Sequence, residues 1–214
     1  MKAFTVVEGI AAPMPATDID TDQILPARFM HEPRLDYGRF CFHDLRFDVQ
    51  SGARLDDFVL NRTPFEAATL IVCGANFGCG SSREQAVHTL ADYGIRALIG
   101  ASFGDIFATN CLKNGLLPVR VAPELAEALM RQIDVRPGFA VRIDLSAQTV
   151  SAPDGWHAHF DIDPFYKEAL LAGRDEIDTT MLLAAQIDTY EAKRLSIEAG
   201  RSTPLDDSCK QGRT

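Results

Sequence analysis

The feature that most limits how this chain folds is a unit that occurs twice. Thr69-Leu70-Ile71-Val72-Cys73 is a short apolar run of the kind buried on both faces of a sheet. Gly74-Ala75-Asn76-Phe77-Gly78-Cys79-Gly80 is too rich in glycine for strand or helix. Residues 81–93 then carry apolar side chains at Ala86, Val87, Leu90 and Ala91, the spacing of one helical face, and Gly94 closes the helix. The pattern recurs as a strand over 96–99, the turn Gly100-Ala101-Ser102-Phe103-Gly104, a helix over 105–114 closed by Gly115, and a third strand over 116–121. The turns GANFG and GASFG differ at one position and lie 26 residues apart. Strands that alternate with helices in this way require crossovers, so the unit predicts an α/β fold with a parallel βαβαβ core.

The flanks are less regular. Residues 2–62 mix short apolar runs, prolines and the acidic alternation Asp18-Ile19-Asp20-Thr21-Asp22, which predicts short strands and long loops. Downstream, 123–132 reads as a helix, 140–150 and 156–160 alternate like strands, and 164–172 reads as another helix. A last amphipathic helix spans 180–199 and ends at Gly200, and the polar remainder, 201–214, reads as a frayed tail. The expected organisation is one domain over 1–175, a helical extension over 176–200 and a disordered tail over 201–214.

Charge and cysteine usage exclude several functions. A net charge of −9 argues against nucleic acid and anionic membrane as partners. No stretch reaches the roughly eighteen consecutive apolar residues of a membrane span, and the N-terminus has no signal-peptide core, so a cytoplasmic protein is expected. The five cysteines, at 41, 73, 79, 111 and 209, are odd in number and scattered without metal-ligand spacing. The aspartates from Asp18 do not form a calcium loop, because Gln23 stands where glycine is needed and Phe29 where glutamate is needed. None of the five histidines forms a site pattern, and His88 reads as a packed or surface residue.

The chemistry concentrates in Gly78-Cys79-Gly80-Ser81-Ser82-Arg83-Glu84. Ser81 followed by Glu84 fits a capping box, which places the helix start at Ser81 and offers a purely structural use for that serine. Two features point beyond capping. Glycines at 74, 78 and 80 let backbone approach a ligand closely, and a helix N-terminus presents unpaired N–H groups to an anion. Arg83 falls in the first helical turn, where the dipole disfavours a cation by about 0.3–1 kcal/mol unless an anion is shared. The residues thus predict a carboxylate or phosphate site lined by Ser81, Ser82 and Arg83.

Four blocks of sequence carry a family resemblance. Gly74-Ala75-Asn76-Phe77-Gly78-Cys79-Gly80-Ser81-Ser82-Arg83-Glu84 resembles the N-F-G-C-G-S-S-R-E motif of the small subunits of 3-isopropylmalate dehydratase, in the aconitase superfamily. Asp20-Thr21-Asp22-Gln23-Ile24-Leu25-Pro26 resembles the family's D-T-D-x-I-x-P. Ser102-Phe103-Gly104-Asp105-Ile106-Phe107 with Asn110, followed by Asn114-Gly115-Leu116-Leu117-Pro118-Val119, resembles its second motif, and Asp188-Thr189-Tyr190-Glu191-Ala192-Lys193 resembles its last helix. The resemblance spans about residues 1 to 195.

It implies the swivelling β/β/α three-layer domain plus a C-terminal helix, working with a separate large subunit that holds a [4Fe–4S] cluster. It implies that this chain binds no cofactor or metal, and that Cys79 is a small buried residue rather than a cluster ligand. The implied reaction removes water from 2-isopropylmalate and returns it to give 3-isopropylmalate in leucine biosynthesis, with a di- or tricarboxylate as substrate. In the resembling family the first serine of G-S-S-R, here Ser81, is the catalytic base, activated by helix N–H groups and a nearby cation. Ser82 and Arg83 would bind a substrate carboxylate, Asp22 would face the closed site, and Arg28 in Pro26-Ala27-Arg28-Phe29 would contact a carboxylate. Asp22 also reads as a turn aspartate and Arg28 as a solvated arginine. The segment after Pro26 would read the substrate's variable group, with Met30 or Leu35 facing it and Arg34 turned away. Gln85 departs from the family's usual histidine, which leaves open a relative acting on another substrate, such as homoaconitate, citraconate or dimethylmalate.

Overall fold

The computed structural model describes residues 1–201, with side chains to residue 196. The chain divides into two units, Met1–Asp175 and the segment from Glu176 onward. The strands are β1 (Val6–Met14), β2 (Leu70–Cys73), β3 (Ala97–Gly100), β4 (Leu117–Arg120), β5 (Ala140–Asp144), β6 (Thr149–Ser151) and β7 (His157–His159). The helices are α1 (Thr21–Ile24), α2 (His43–Arg46), α3 (Glu84–Tyr93), α4 (Asp105–Lys113), α5 (Pro123–Val135) and α6 (Pro164–Ala172), followed in the second unit by α7 (Glu176–Met181) and α8 (Ala184–Arg201). Apart from Arg201, the expected tail and Cys209 lie outside the described residues.

The seven strands form one sheet in the order β4-β3-β2-β1-β5-β6-β7. β1, β2, β3 and β4 run parallel, which is the expected βαβαβ core with one strand added. All four residues of β2 and of β3 are buried, as befits strands covered on both faces. β5, β6 and β7 run antiparallel, and in β6 and β7 a single buried residue lies between two exposed ones, so one face meets the core and the other meets water. The expected strand over 140–150 is therefore two strands with a turn between them.

β1 joins the two halves and corrects the reading of the N-terminal region. Instead of several short strands, one nine-residue strand lies at the centre of the sheet. Its first half, Val6 to Ile10, pairs antiparallel with β5, and its second half, Ala11 to Met14, pairs parallel with β2. Pro13 sits in register with Val72 despite having no N–H to give, a residue that sequence reasoning places at sheet edges. The helices pack by their apolar stripes. α5 buries Ala126, Leu129, Met130 and Ile133, and α3 buries Ala86, Val87 and Leu90 before Gly94, at φ 110°, ends it. The last helix begins earlier than expected and is split, with α7 preceding α8.

Candidate active site

The parallel strands β2 and β3 end in the two related turns, and the turns are stitched together. The Phe77 N–H donates to Ser102 O at 3.3 Å, and the Gly104 N–H donates to Phe77 O at 2.9 Å. The Asn76 N–H donates to Ser102 Oγ at 2.8 Å. Phe77 is fully buried, its ring 5.8 Å from that of Phe107 on α4. These contacts decide what the glycines are for. A side chain at Gly78, whose φ is +75°, would run into the Phe107 ring, and one at Gly104 would come within 2.6 Å of Gly78 O. Gly74 lies against the carbonyls of Pro15 and Ala16. The expectation that 74 and 78 clear space for a ligand is therefore corrected: both make room for the chain itself. Of the three glycines at 74, 78 and 80, Gly80, at φ +87°, alone has no atom within 3.4 Å of where a side chain would begin.

After the second turn the helix starts at once, with Gly104 as its N-cap. After the first turn, residues 79–83 intervene before α3 begins at Glu84. Arg83 is the N-cap, in extended conformation, and no side chain caps the helix. The expected capping box at Ser81 is absent, because Ser81 lies three residues ahead of the helix and the Glu84 carboxylate accepts instead from Asn114 Nδ2 at 2.8 Å. Ser81 and Ser82 are both exposed. A capping box does exist one segment away, where Asp20 accepts from the Gln23 N–H at 2.7 Å and Gln23 Oε1 accepts from the Asp20 N–H at 2.9 Å.

That box fixes α1, and α1 grips the intervening segment. The Thr21 N–H donates to Cys79 O at 3.1 Å and the Thr21 hydroxyl to Ser81 O at 2.9 Å. Asp22 forms an ion pair with Arg83, whose side chain is 17% exposed against 52% for Asp22. The structure thus brings Ser81, Ser82, Arg83 and Asp22 together from two segments about sixty residues apart. Ser81 and Ser82 border a cleft of about 320 Å³ lined also by Asn76, Gly78, Cys79, Gly80 and the first turn of α4 from Asp105 to Phe107, while Arg83 and Asp22 flank the two serines without lining it. An exposed hydroxyl, an arginine with donors beyond the one given to Asp22, and the uncapped N–H groups of α3 suit an anionic oxygen ligand.

Cys79 differs from expectation: it is partly exposed on the cleft wall rather than buried. Desolvation, with the charges of Asp18 and Asp20 nearby, pushes its thiol up and away from the nucleophilic thiolate. Asp18 is held below the usual carboxylate range by hydrogen bonds from Asn76, at 2.7 Å, and from Thr17. His88 is packed as expected: it bonds Asn114 Oδ1 at 3.0 Å, and burial lowers its pKa.

Arg28 is not brought to the cleft by any of its contacts. Its guanidinium grips both oxygens of Asp44, one at 2.7 Å, and lies over the Phe29 ring at 4.4 Å. Farther along the same segment, Met30 packs beside Leu25, Tyr37 and Phe40, Arg34 lies 3.6 Å from Asp92, and Leu35 is 91% exposed. The residue that sequence reasoning left without a role is Thr21. In the sequence Thr21 stood only as a member of the Asp20–Pro26 motif, with no local signal that it reaches Ser81.

A slightly larger cleft, about 370 Å³, lies on α5 beside Asp154, but its arginines, Arg131 and Arg136, are paired with Glu127 and Asp154. Among the described residues no group of three or more His, Cys, Asp or Glu side chains is placed to hold a metal. Cys41, Cys73 and Cys111 are buried, with thiols raised by desolvation, Cys41 to about 12. This donor set does not fit an iron–sulfur cluster, so no step assigned to this chain runs through one. No helix among the described residues is long and apolar enough to cross a membrane.

Comparison with known proteins places these features in a family. The family model of the aconitase C-terminal domain matches residues 1–124, and a second, described as LeuD_N, matches residues 127–164. The 3-isopropylmalate dehydratase small subunit of Rhodospirillum centenum is 45% identical over 195 residues, which cover 91% of this chain and 96% of that protein. The Caulobacter vibrioides protein of the same name is 47% identical over 195 residues, with the same coverage. Among solved structures, the 3-isopropylmalate dehydratase (leuD) of Methanocaldococcus jannaschii is similar with a TM-score of 0.58 and 25% identity, covering 92% of this chain and 99% of that one.

Proposed function

The chain belongs to the family of 3-isopropylmalate dehydratase small subunits, hydro-lyases of leucine biosynthesis in the aconitase superfamily, and on that premise we propose how its residues serve the reaction. The reaction interconverts 2-isopropylmalate and 3-isopropylmalate by removing and returning water. Ser81 Oγ takes the proton from the carbon next to the one that loses hydroxyl, and gives it back on the other carbon when water returns. The α3 N–H groups and Arg83 stabilise the charge on that oxygen. Ser82 and the remaining donors of Arg83 hold a substrate carboxylate, and Asp22 keeps the guanidinium oriented toward it. Arg28 would join them by exchanging Asp44 for a carboxylate.

The observation that carries this reading is that Ser81 stands exposed on the cleft instead of capping α3. In this reading Leu35, exposed at 91%, would meet the isopropyl group, while Arg34 is engaged by Asp92. The partner is the large subunit, which would carry the [4Fe–4S] cluster, and the complex would work in the cytoplasm. The test is reconstitution: this chain, mixed anaerobically with a cluster-loaded large subunit, should convert 2-isopropylmalate, and neither chain alone should. Turnover by this chain alone, or a mixture that prefers a tricarboxylate, would refute the assignment.

A further inference from the structure

We propose that Thr21 is the positioning residue of Ser81, a role that rests on Ser81 being the base. Thr21 is 1% exposed, one of three buried polar side chains among the described residues, with Asn61 and Thr89. A hydroxyl buried to that degree needs a partner, and the one it has is the carbonyl of Ser81, 2.9 Å away. Its own N–H holds the carbonyl of Cys79 at 3.1 Å. A single residue thus ties the backbone on both sides of Gly80, the most freely rotating point in the segment.

Beyond a β-bridge between Cys79 and Asp20, no regular structure supports this stretch, because α3 begins only at Glu84 and no side chain caps it. The Ser81 carbonyl fixes the plane of the peptide between Ser81 and Ser82. It therefore sets the aim of the Ser82 N–H and, through the backbone at Ser81, narrows the direction in which the Ser81 side chain leaves the chain. The anchor is itself well held: the Asp20–Gln23 capping box locks the start of α1, Ile24 and Leu25 are fully buried, and Asp22 reaches Arg83. Thr21 touches no substrate in this account. It acts through Ser81, and errors of about 1 Å in a reacting group can cost on the order of a hundredfold in rate.

The test uses the reconstituted two-subunit complex with Thr21→Val, Thr21→Ala and Thr21→Ser. Valine keeps the shape and removes the hydroxyl, whereas alanine and serine both lose the methyl and differ only in the hydroxyl. Thr21→Val and Thr21→Ala are expected to lower kcat roughly tenfold with KM within about twofold, while Thr21→Ser stays near wild type. With substrate deuterated at the carbon that loses its proton, the isotope effect on kcat should rise in Thr21→Val. If Thr21→Val does not fold or assemble, the Ala and Ser pair decides. Wild-type kcat in Val or Ala, or equal loss in Ala and Ser, overturns the inference. Ser81→Ala in the same assay separates the two claims. An inactive Ser81→Ala complex beside a fully active Thr21→Val removes only the role of Thr21, whereas an active Ser81→Ala complex removes the role of Ser81 and this inference with it.

Discussion

GANFG and GASFG leave adjacent parallel strands, bury a phenylalanine at the same place and hydrogen-bond to each other, yet only the first is followed by extra chain. In the second strand–turn–helix repeat α4 begins at Asp105 directly after Gly104. In the first, residues 79–83 separate Gly78 from α3, and that stretch supplies both cleft serines and the arginine. The comparison teaches that the turn itself is a packing device used twice, with Gly78 at φ +75° in one copy and Gly104 at −57° in the other, and that the chemistry belongs to what one copy adds. It also explains why the added stretch needs a clamp. α4 rises straight from its turn, whereas 79–83 depends on Thr21 and Asp22 from a distant segment.

The comparison breaks most severely at the junction between the turns. Gly78→Ala places a methyl at a positive φ and against the Phe107 ring, which together should cost about 3 kcal/mol in urea unfolding of the chain. Gly80→Ala, with the same sign of φ but no more than an ordinary contact with Asp20, should cost about 1–2 kcal/mol. Equal losses at the two sites would mean that Gly78 is not there for packing.

Next in size is the arginine that only the first unit carries. Arg83→Lys keeps the charge beside Asp22 but loses the planar fork, and should raise KM and lower kcat/KM about 30-fold, roughly 2 kcal/mol of charge-assisted hydrogen bonding. An unchanged KM would remove Arg83 as the carboxylate clamp.

What could be read from sequence followed the same division. The core strands and the helices α4 and α6 were legible because their period, glycine closures and flanking prolines are local signals. β1 was not: its two halves face different partners, so it has neither pure alternation nor a pure apolar run, and Pro13 argues against a central strand. The site residues Ser81, Ser82, Arg83 and Asp22 were legible as motif members, but how they are held was not. Ser81-x-x-Glu84 satisfies the capping pattern as well as Asp20-x-x-Gln23 does, and the contact that distinguishes them, Thr21 to Ser81, spans sixty residues. The glycines were misread for the same reason, since Phe107 and Ala16 come to them from elsewhere in the chain.

The smallest effect is expected in the unit without the added stretch. Ser102, in GASFG, accepts the Asn76 N–H and lies away from the base in this account. Ser102→Ala should lower stability by about 1 kcal/mol and leave kcat of the complex within about twofold of wild type. A large loss of kcat would show that the second turn takes part in the chemistry and that the division between the units is false.

The most direct test of that division is the turnover number of the reconstituted complex carrying Ser81→Ala, with binding of 2-isopropylmalate followed in parallel. Ser81 is exposed and caps nothing, so its removal should leave thermal stability and substrate affinity nearly unchanged. If Ser81 moves the proton, kcat should fall by about 10²–10⁴-fold. A Ser81→Ala complex that turns over at close to the wild-type rate would contradict the account, because the stretch that sets the first unit apart from the second would then carry no base.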